Sequence, residues 1–323
     1  MDINTLWYND PMPIRVGVVG VGYLGRYHVD KYASLNEARL VGVMDIDFSR
    51  AQEVAKTYGC KAFKGLSSLL REVEAVSVVV PTTSHYEVAK ACLKNGIHVL
   101  LEKPMATSLE EAEELIALAK EKNVVLQIGH LERFNPAVIA LFKRLKDPLF
   151  IESHRISPFP KRGTDVDVVL DLMIHDLDIV LAAVHSPLRE VRAVGVPVIS
   201  PKIDIANVRL EFKGCIANLT ASRISNKQMR KIRIFQKDAY FSLDYAKHEL
   251  NLFERKGNCI SNECLSFPRA DPLREELISF LRAIKGETNP VVSGEGGKRA
   301  LELALFINEQ IKRQLASYSK KYR

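Results

Sequence analysis

Apolar and polar positions follow two different rhythms along this chain, and the change of rhythm divides it. Up to about residue 129, compact apolar runs rich in β-branched residues alternate with segments that carry one apolar face per helical turn. The runs Ile14–Val19, Ala38–Met44, Ala75–Val80, Ile97–Leu101 and Val124–Ile128 read as strands buried on both faces. Between them, Arg26–Leu35 and Ser49–Tyr58 read as helices, the second closed by Gly59. A third helix follows the break at Pro81-Thr82-Thr83-Ser84-His85 and runs to about Lys94. A fourth starts at a capping box of Ser108 and Glu111 and runs to Lys122. Asn135-Pro136 supplies an N-cap and a first-turn proline for a helix to about Lys146. From about Phe150 to Glu254 the pattern becomes strict alternation, as in Ala206, Val208, Leu210 and Phe212 between Asn207, Arg209, Glu211 and Lys213. That is the signature of strands with one wet face, interrupted by a helix over 168–184 and followed by helices over 272–285 and 296–315. The expected architecture is α/β: a parallel Rossmann-type sheet over 1–129, then an α+β domain over 130–323 with a large, open-faced, mostly antiparallel sheet.

Composition narrows the class. The 323 residues are 47% apolar and 26% charged, ordinary for a globular protein with a sizeable core. No apolar run reaches the length of a membrane span, and residues 1–13 carry acids without an apolar stretch, so no membrane role and a cytoplasmic location are expected. The five cysteines are scattered and odd in number, which points to reduced thiols and no metal. A net charge of +7 is spread along the chain without a nucleic-acid-binding signature, so an anionic small molecule is the better partner than nucleic acid.

The chemistry begins at Gly20-Val21-Gly22-Tyr23-Leu24-Gly25, which lies between a strand and a helix. This is the order of a dinucleotide phosphate turn. Gly20 is expected to make the tight turn, Gly22 to admit a pyrophosphate, and Gly25 to let helix and strand pack closely. Tyr23 and Leu24 sit where the helix N-terminus offers amide N–H groups. Asp45 ends the next strand, twenty residues after Gly25, where a carboxylate receives ribose hydroxyls. With Asp47 beside it, NAD is favoured over NADP. Further strand ends place Pro81, Thr82 and His85, and then Glu102 and Lys103, against the cofactor. In the second half, Asp171 and His175 are four apart and share a face on a helix. A carboxylate beside the imidazole is expected to raise its pKa and orient it as a proton acceptor, with Asp176 and Asp178 structural.

Glycine turn, Asp45, Pro-Thr-x-x-His at 81–85, Glu-Lys-Pro at 102–104 and Asp-x-x-x-His at 171–175 together resemble the Gfo/Idh/MocA family of NAD(P)-dependent oxidoreductases, over nearly the whole chain. The resemblance implies that Lys103, Asp171 and His175 line the substrate site and that the open sheet makes subunit contacts in a homodimer or homotetramer. The stretches 129–136 (Gly-His-Leu-Glu-Arg-Phe-Asn-Pro) and 155–162 (Arg-Ile-Ser-Pro-Phe-Pro-Lys-Arg) are similar to the branch that oxidises carbon 3 of UDP-N-acetylglucosamine. The resulting 3-keto sugar is a substrate for an aminotransferase. On that reading Arg133, Arg155, Lys161 and Arg162 meet a diphosphate, Glu132 and Asn135 meet sugar hydroxyls, and Asp167 brings an opposing negative charge. His175 is the expected base and Lys103 the stabiliser of the reacting oxygen, with the reverse assignment open. Other family substrates (inositol, an aldose, a nucleotide-sugar uronate) and a non-catalytic NAD sensor remain alternatives.

Overall fold

The computed structural model describes residues 12–159 and 166–321. The chain forms two compact units from interleaved segments. One comprises the residues up to Glu102 with Glu114–Gln127 and Glu276–Pro290, the other Lys103–Glu113, Ile128–Glu275 and the residues from Val291 on.

A six-stranded sheet has the order β3-β2-β1-β4-β5-β6, from β1 (Ile14–Val19), β2 (Ala38–Met44), β3 (Lys61–Phe63), β4 (Ala75–Val78), β5 (His98–Glu102) and β6 (Leu126–Gly129). The β1–β2, β1–β4, β2–β3 and β4–β5 ladders are parallel. Val16, Val18, Ala75, Val76 and Val78 are fully buried, as their continuous apolar runs predict. The helices are α1 (Tyr23–Ser34), α2 (Phe48–Tyr58), α3 (Leu66–Leu70), α4 (His85–Lys94) and α5 (Leu109–Glu121). Strand β3 and helix α3 are too short to show a period, and the sequence pattern passed over both. The capping box at α5 is shifted by one residue. Ser108 accepts the Glu111 N–H, but Glu111 returns its carboxylate to the N–H and hydroxyl of Thr107.

The eight-stranded sheet is built from β7 (Pro148–Ile156), β8 (Leu188–Val196), β9 (Ile205–Phe212), β10 (Cys215–Ser222), β11 (Met229–Gln236), β12 (Ala239–Asp244), β13 (Glu249–Lys256) and β14 (Cys259–Ser266). Its order is β14-β13-β12-β11-β7-β10-β9-β8, parallel between β7 and β10 and antiparallel elsewhere. The alternating residues Ala206, Val208, Leu210 and Phe212 turn inward. They share one core with Ile174, Leu177 and Val180 of α7 (Ile174–Ala183) and Ala304, Ile307 and Ile311 of α9 (Gly294–Lys321). The remaining helices are α6 (Pro136–Phe142), shorter than its sequence pattern, and α8 (Pro272–Ile284). An aromatic ladder runs over four neighbouring strands, with centroid spacings of 5.7 Å from Phe150 to Phe235, 4.7 Å to Tyr240 and 5.4 Å to Phe253. Among the described residues no helix is long and apolar enough to cross a membrane.

The segment before α7 is anchored by charge. Arg223 and Asp204 are both fully buried, 2.9 Å apart. Asp204 also accepts the N–H groups of Val198, Ile199 and Ser200, while Arg223 donates to the Val166 carbonyl at 2.8 Å. Asp167, the anion expected beside a ligand, is spent here. It accepts the Ile203 N–H at 2.9 Å and pairs with Lys312 at 3.4 Å. Replacing Asp204 by Ala leaves a buried guanidinium without its carboxylate. A loss of about 3–5 kcal/mol in urea-unfolding free energy is expected, partly restored by adding Arg223→Met.

Candidate functional site

Two of the three glycines in the turn are demanded by the fold itself. Gly20 has φ +87°, and a Cβ there would lie 2.4 Å from the Val79 carbonyl oxygen. A Cβ on Gly25 would fall 1.9 Å from the Gly20 carbonyl oxygen, so α1 can approach β1 only with glycine there. Gly22 has nothing within 4 Å of a Cβ position, so the fold itself does not require glycine there. No side chain caps α1, and Tyr23 and Leu24 at its start are exposed. Open space next to an uncapped helix N-terminus is what a pyrophosphate needs. Asp45 accepts the Val21 N–H at 2.8 Å and the Asp47 N–H at 2.9 Å, which fixes its carboxylate at the end of β2. Arg50 is held by both acids, 3.4 Å from Asp45 and 3.2 Å from Asp47. These residues fit an adenine dinucleotide.

Pro81 and Thr82 lie in the short turn after β4, and His85 opens α4 behind it. Its Nε2 is 2.9 Å from the Val80 carbonyl and the ring is buried, so it braces the backbone just before Pro81. Glu102, at the end of β5, pairs with His28 of α1 at 3.2 Å. The Lys103–Pro104 peptide bond that follows is cis.

The second unit gathers the other predicted residues around α7. The helix expected over 168–184 opens with a π-helical turn, Val169–Met173, in which the Ile174 N–H reaches the Val169 carbonyl. That wider turn alters the face on which Asp171 and His175 were expected to meet, and their pairing is the main correction to the sequence reading. Asp171 binds Lys103 instead: Lys103 Nζ donates to the Asp171 carbonyl at 2.6 Å and lies 3.5 Å from its carboxylate. His175 Nδ1 is buried with no hydrogen-bond partner. Burial, with the charges of Lys103, Arg155 and Arg230 and the neighbouring His130, drives the imidazole pKa well below its ordinary value rather than above it. His175 is therefore a neutral acceptor.

Arg155 also departs from expectation. It is buried, its Nε and Nη2 grip Asp176 at 2.8 and 3.1 Å, and its Nη1 reaches Glu132 at 2.9 Å. Burial opposes the charge, but the two carboxylates outweigh it, and the guanidinium also lies 4.8 Å from the Tyr245 ring centroid. Arg133 lies 3.6 Å from Asp178 and over the Phe142 ring. Asn135 caps α6 through the Ala137 N–H and donates to the Tyr245 carbonyl. Glu132, Arg133, Asn135 and Arg155 are thus each engaged by partners within the protein. Lys161 and Arg162 lie outside the described residues. Two residues that the sequence did not single out join the cluster. The His130 ring stands perpendicular to His175 with centroids 6.5 Å apart, and Arg230 of β11 is the register partner of Arg155. The His sits in the Gly-His-x-Glu-Arg stretch already noted, whereas an arginine in an alternating strand carries no distinguishing signal.

A glycine turn on a parallel sheet and a lysine–aspartate–histidine cluster on a second unit define an NAD-binding oxidoreductase. The chain belongs to the Gfo/Idh/MocA family: residues 14–130 match its oxidoreductase profile with NAD-binding Rossmann fold. It is 39% identical over 302 residues to UDP-N-acetylglucosamine 3-dehydrogenase of Acidithiobacillus ferrooxidans, covering 91% of this chain and 96% of that one. A solved structure of that enzyme superposes with a TM-score of 0.88 over 93% of this chain and 98% of the other. Myo-inositol 2-dehydrogenase of Thermotoga maritima is 30% identical over 319 residues, 90% of this chain and 94% of its own.

The turn predicts a contrast between two single-methyl changes. Gly22→Ala is expected to melt like the parent while losing at least tenfold in NAD affinity. Gly25→Ala is expected to lose about 2 kcal/mol or more of stability through backbone overlap. Thermal melts and NAD titration of both variants check this.

Proposed function

We propose that the protein oxidises carbon 3 of UDP-N-acetylglucosamine to the 3-keto sugar with NAD. The observation that carries the reading is the buried, neutral His175 gathered with Lys103 and Asp171 in a chain 39% identical, nearly end to end, to an enzyme named for that reaction. Bound NAD supplies the hydride acceptor. His175 takes the proton of the reacting hydroxyl, and Lys103, aimed by Asp171, donates to the oxygen as alkoxide character develops. Arg155 and Asp176 hold α7 in place beneath His175. With Arg133 and Arg155 committed to carboxylates, Arg230 takes over part of the diphosphate-holding role. Arg50 is engaged by Asp45 and Asp47, which supports NAD over NADP. The reading also carries a cytoplasmic setting, a homodimer or homotetramer joined over the aromatic ladder, and a partner aminotransferase for the ketone.

Purified protein with NAD, UDP-N-acetylglucosamine and a carbonyl trap is expected to form NADH and a trapped keto sugar. Turnover on inositol or a free aldose alone overturns the nucleotide-sugar assignment. Lys103→Met and His175→Asn are each expected to cut kcat by roughly 10²–10⁴-fold with NAD binding retained.

The sign of the pH response follows from the depressed His175 pKa. The imidazole is already neutral at pH 6.5, so the acid limb of kcat is expected below that value. Folding stability is present above pH 6.5 and is lost as the pH falls, because the unfolded imidazole takes up a proton that the folded one refuses. His175→Asn is expected to flatten that loss in melts recorded from pH 5 to 7.

A further inference from the structure

Glu276 of α8 is fully buried, and neither carboxyl oxygen has a hydrogen-bond partner. It belongs to a polar layer inside the cofactor-binding unit that draws on Ser77 of β4, Glu102 at the end of β5 and Gln127 of β6. Tyr32 and His28, one turn apart on α1, reach Ser77 Oγ at 3.0 Å and Glu102 Oε1 at 3.2 Å. Gln127 donates its amide to the Glu276 main-chain carbonyl at 3.2 Å. Three kinds of atom here are buried without partners: both Glu276 oxygens, Gln127 Oε1 and His28 Nδ1. With Glu276 ionised, its two oxygens and Gln127 Oε1 are all acceptors with no donor beside them. A layer of orphaned acceptors is costly, and one proton added to Glu276 turns an acceptor into the donor that the layer lacks.

We propose that Glu276 is a positioning residue of the cofactor site: as a neutral acid it donates into this layer and fixes Glu102 at the head of the Glu-Lys-Pro turn. Charge and burial point the same way. Burial pushes the Glu276 carboxyl well above the carboxylate range, and the negative charge of Glu102 adds to the shift. The groups facing it are Glu102 at the end of β5, Tyr32 on α1 and Gln127 on β6, with His28 paired to Glu102. Once Glu276 ionises, two carboxylates share one dry layer and repel each other. The end of β5 yields, and the cofactor is held less tightly. This inference rests on NAD binding by this unit and not on the identity of the sugar.

Glu276→Gln keeps a donor and cannot ionise, whereas Glu276→Leu removes both donor and charge. NADH affinity, titrated by its fluorescence from pH 6 to 10 without any sugar, separates the cases, and melts at each pH report whether the protein is folded. The parent protein is expected to lose affinity about tenfold per pH unit above the ionisation of Glu276. Glu276→Gln is expected to show no such alkaline decline and to bind at pH 7 at least tenfold more tightly than Glu276→Leu. An alkaline decline in Glu276→Gln parallel to that of the parent overturns the proposal, as does equal weakening by Gln and Leu at pH 7. Failure here leaves the sugar-oxidation reading standing, and failure of the turnover assay leaves this one standing.

Discussion

A guanidinium taken out of water must have its charge answered inside the protein, and in this structure the answer organises the unit that carries the eight-stranded sheet. Arg155 stands on β7, in the middle of the eight-stranded sheet. Its partners come from α7 and from the short turn over 131–134. Three elements distant in sequence are thereby held in one arrangement, and His175, next to Asp176, takes its place from it. The cost of burying the ion is repaid only if all three elements are in place, so the pair acts less as a source of stability than as a register for the site. The same logic recurs at Arg223 and Asp204, which fix the approach to α7 from the other side.

The neutrality of His175 is a consequence of this arrangement. An imidazole surrounded by Lys103, Arg155 and Arg230 is penalised for taking on a positive charge of its own. Asp171 does not offset the penalty, because its carboxylate is spent on Lys103. The division of labour is electrostatic: the aspartate aims the lysine, and the cations keep the imidazole empty.

Much of this was legible in the sequence. The buried runs from Ile14 and Ala75 and the alternation through Ala206–Phe212 each fixed an element, and the Gly20–Gly25 spacing fixed the turn. Lys103, Asp171 and His175 were also placed together by their motifs. What the sequence did not disclose was partnership. The residue type of Arg133 or Arg155 is the same whether it faces a phosphate or a carboxylate, and only the tertiary arrangement decides. A π-helical turn has no compositional mark, so the face shared by Asp171 and His175 was misjudged. Glu276 had a visible signal. In Pro272–Ile284 it falls on the stripe of Leu273, Leu277, Phe280 and Leu281, where a carboxylate is out of character with its neighbours.

The interleaving of the two units has a bearing on how the protein is made. Gln127 is in place early in synthesis, but the carbonyl that accepts from it belongs to residue 276. The cofactor-binding unit includes Glu276–Pro290. A ribosome that has delivered the whole glycine turn and all six strands of the parallel sheet has still not delivered that unit's last helical segment. The nascent chain must keep an incomplete nucleotide-binding sheet from misassociating while about 150 more residues, most of the other unit, emerge. A chain threaded in this way cannot complete its nucleotide-binding unit until residues 276–290 have emerged, after most of the other unit.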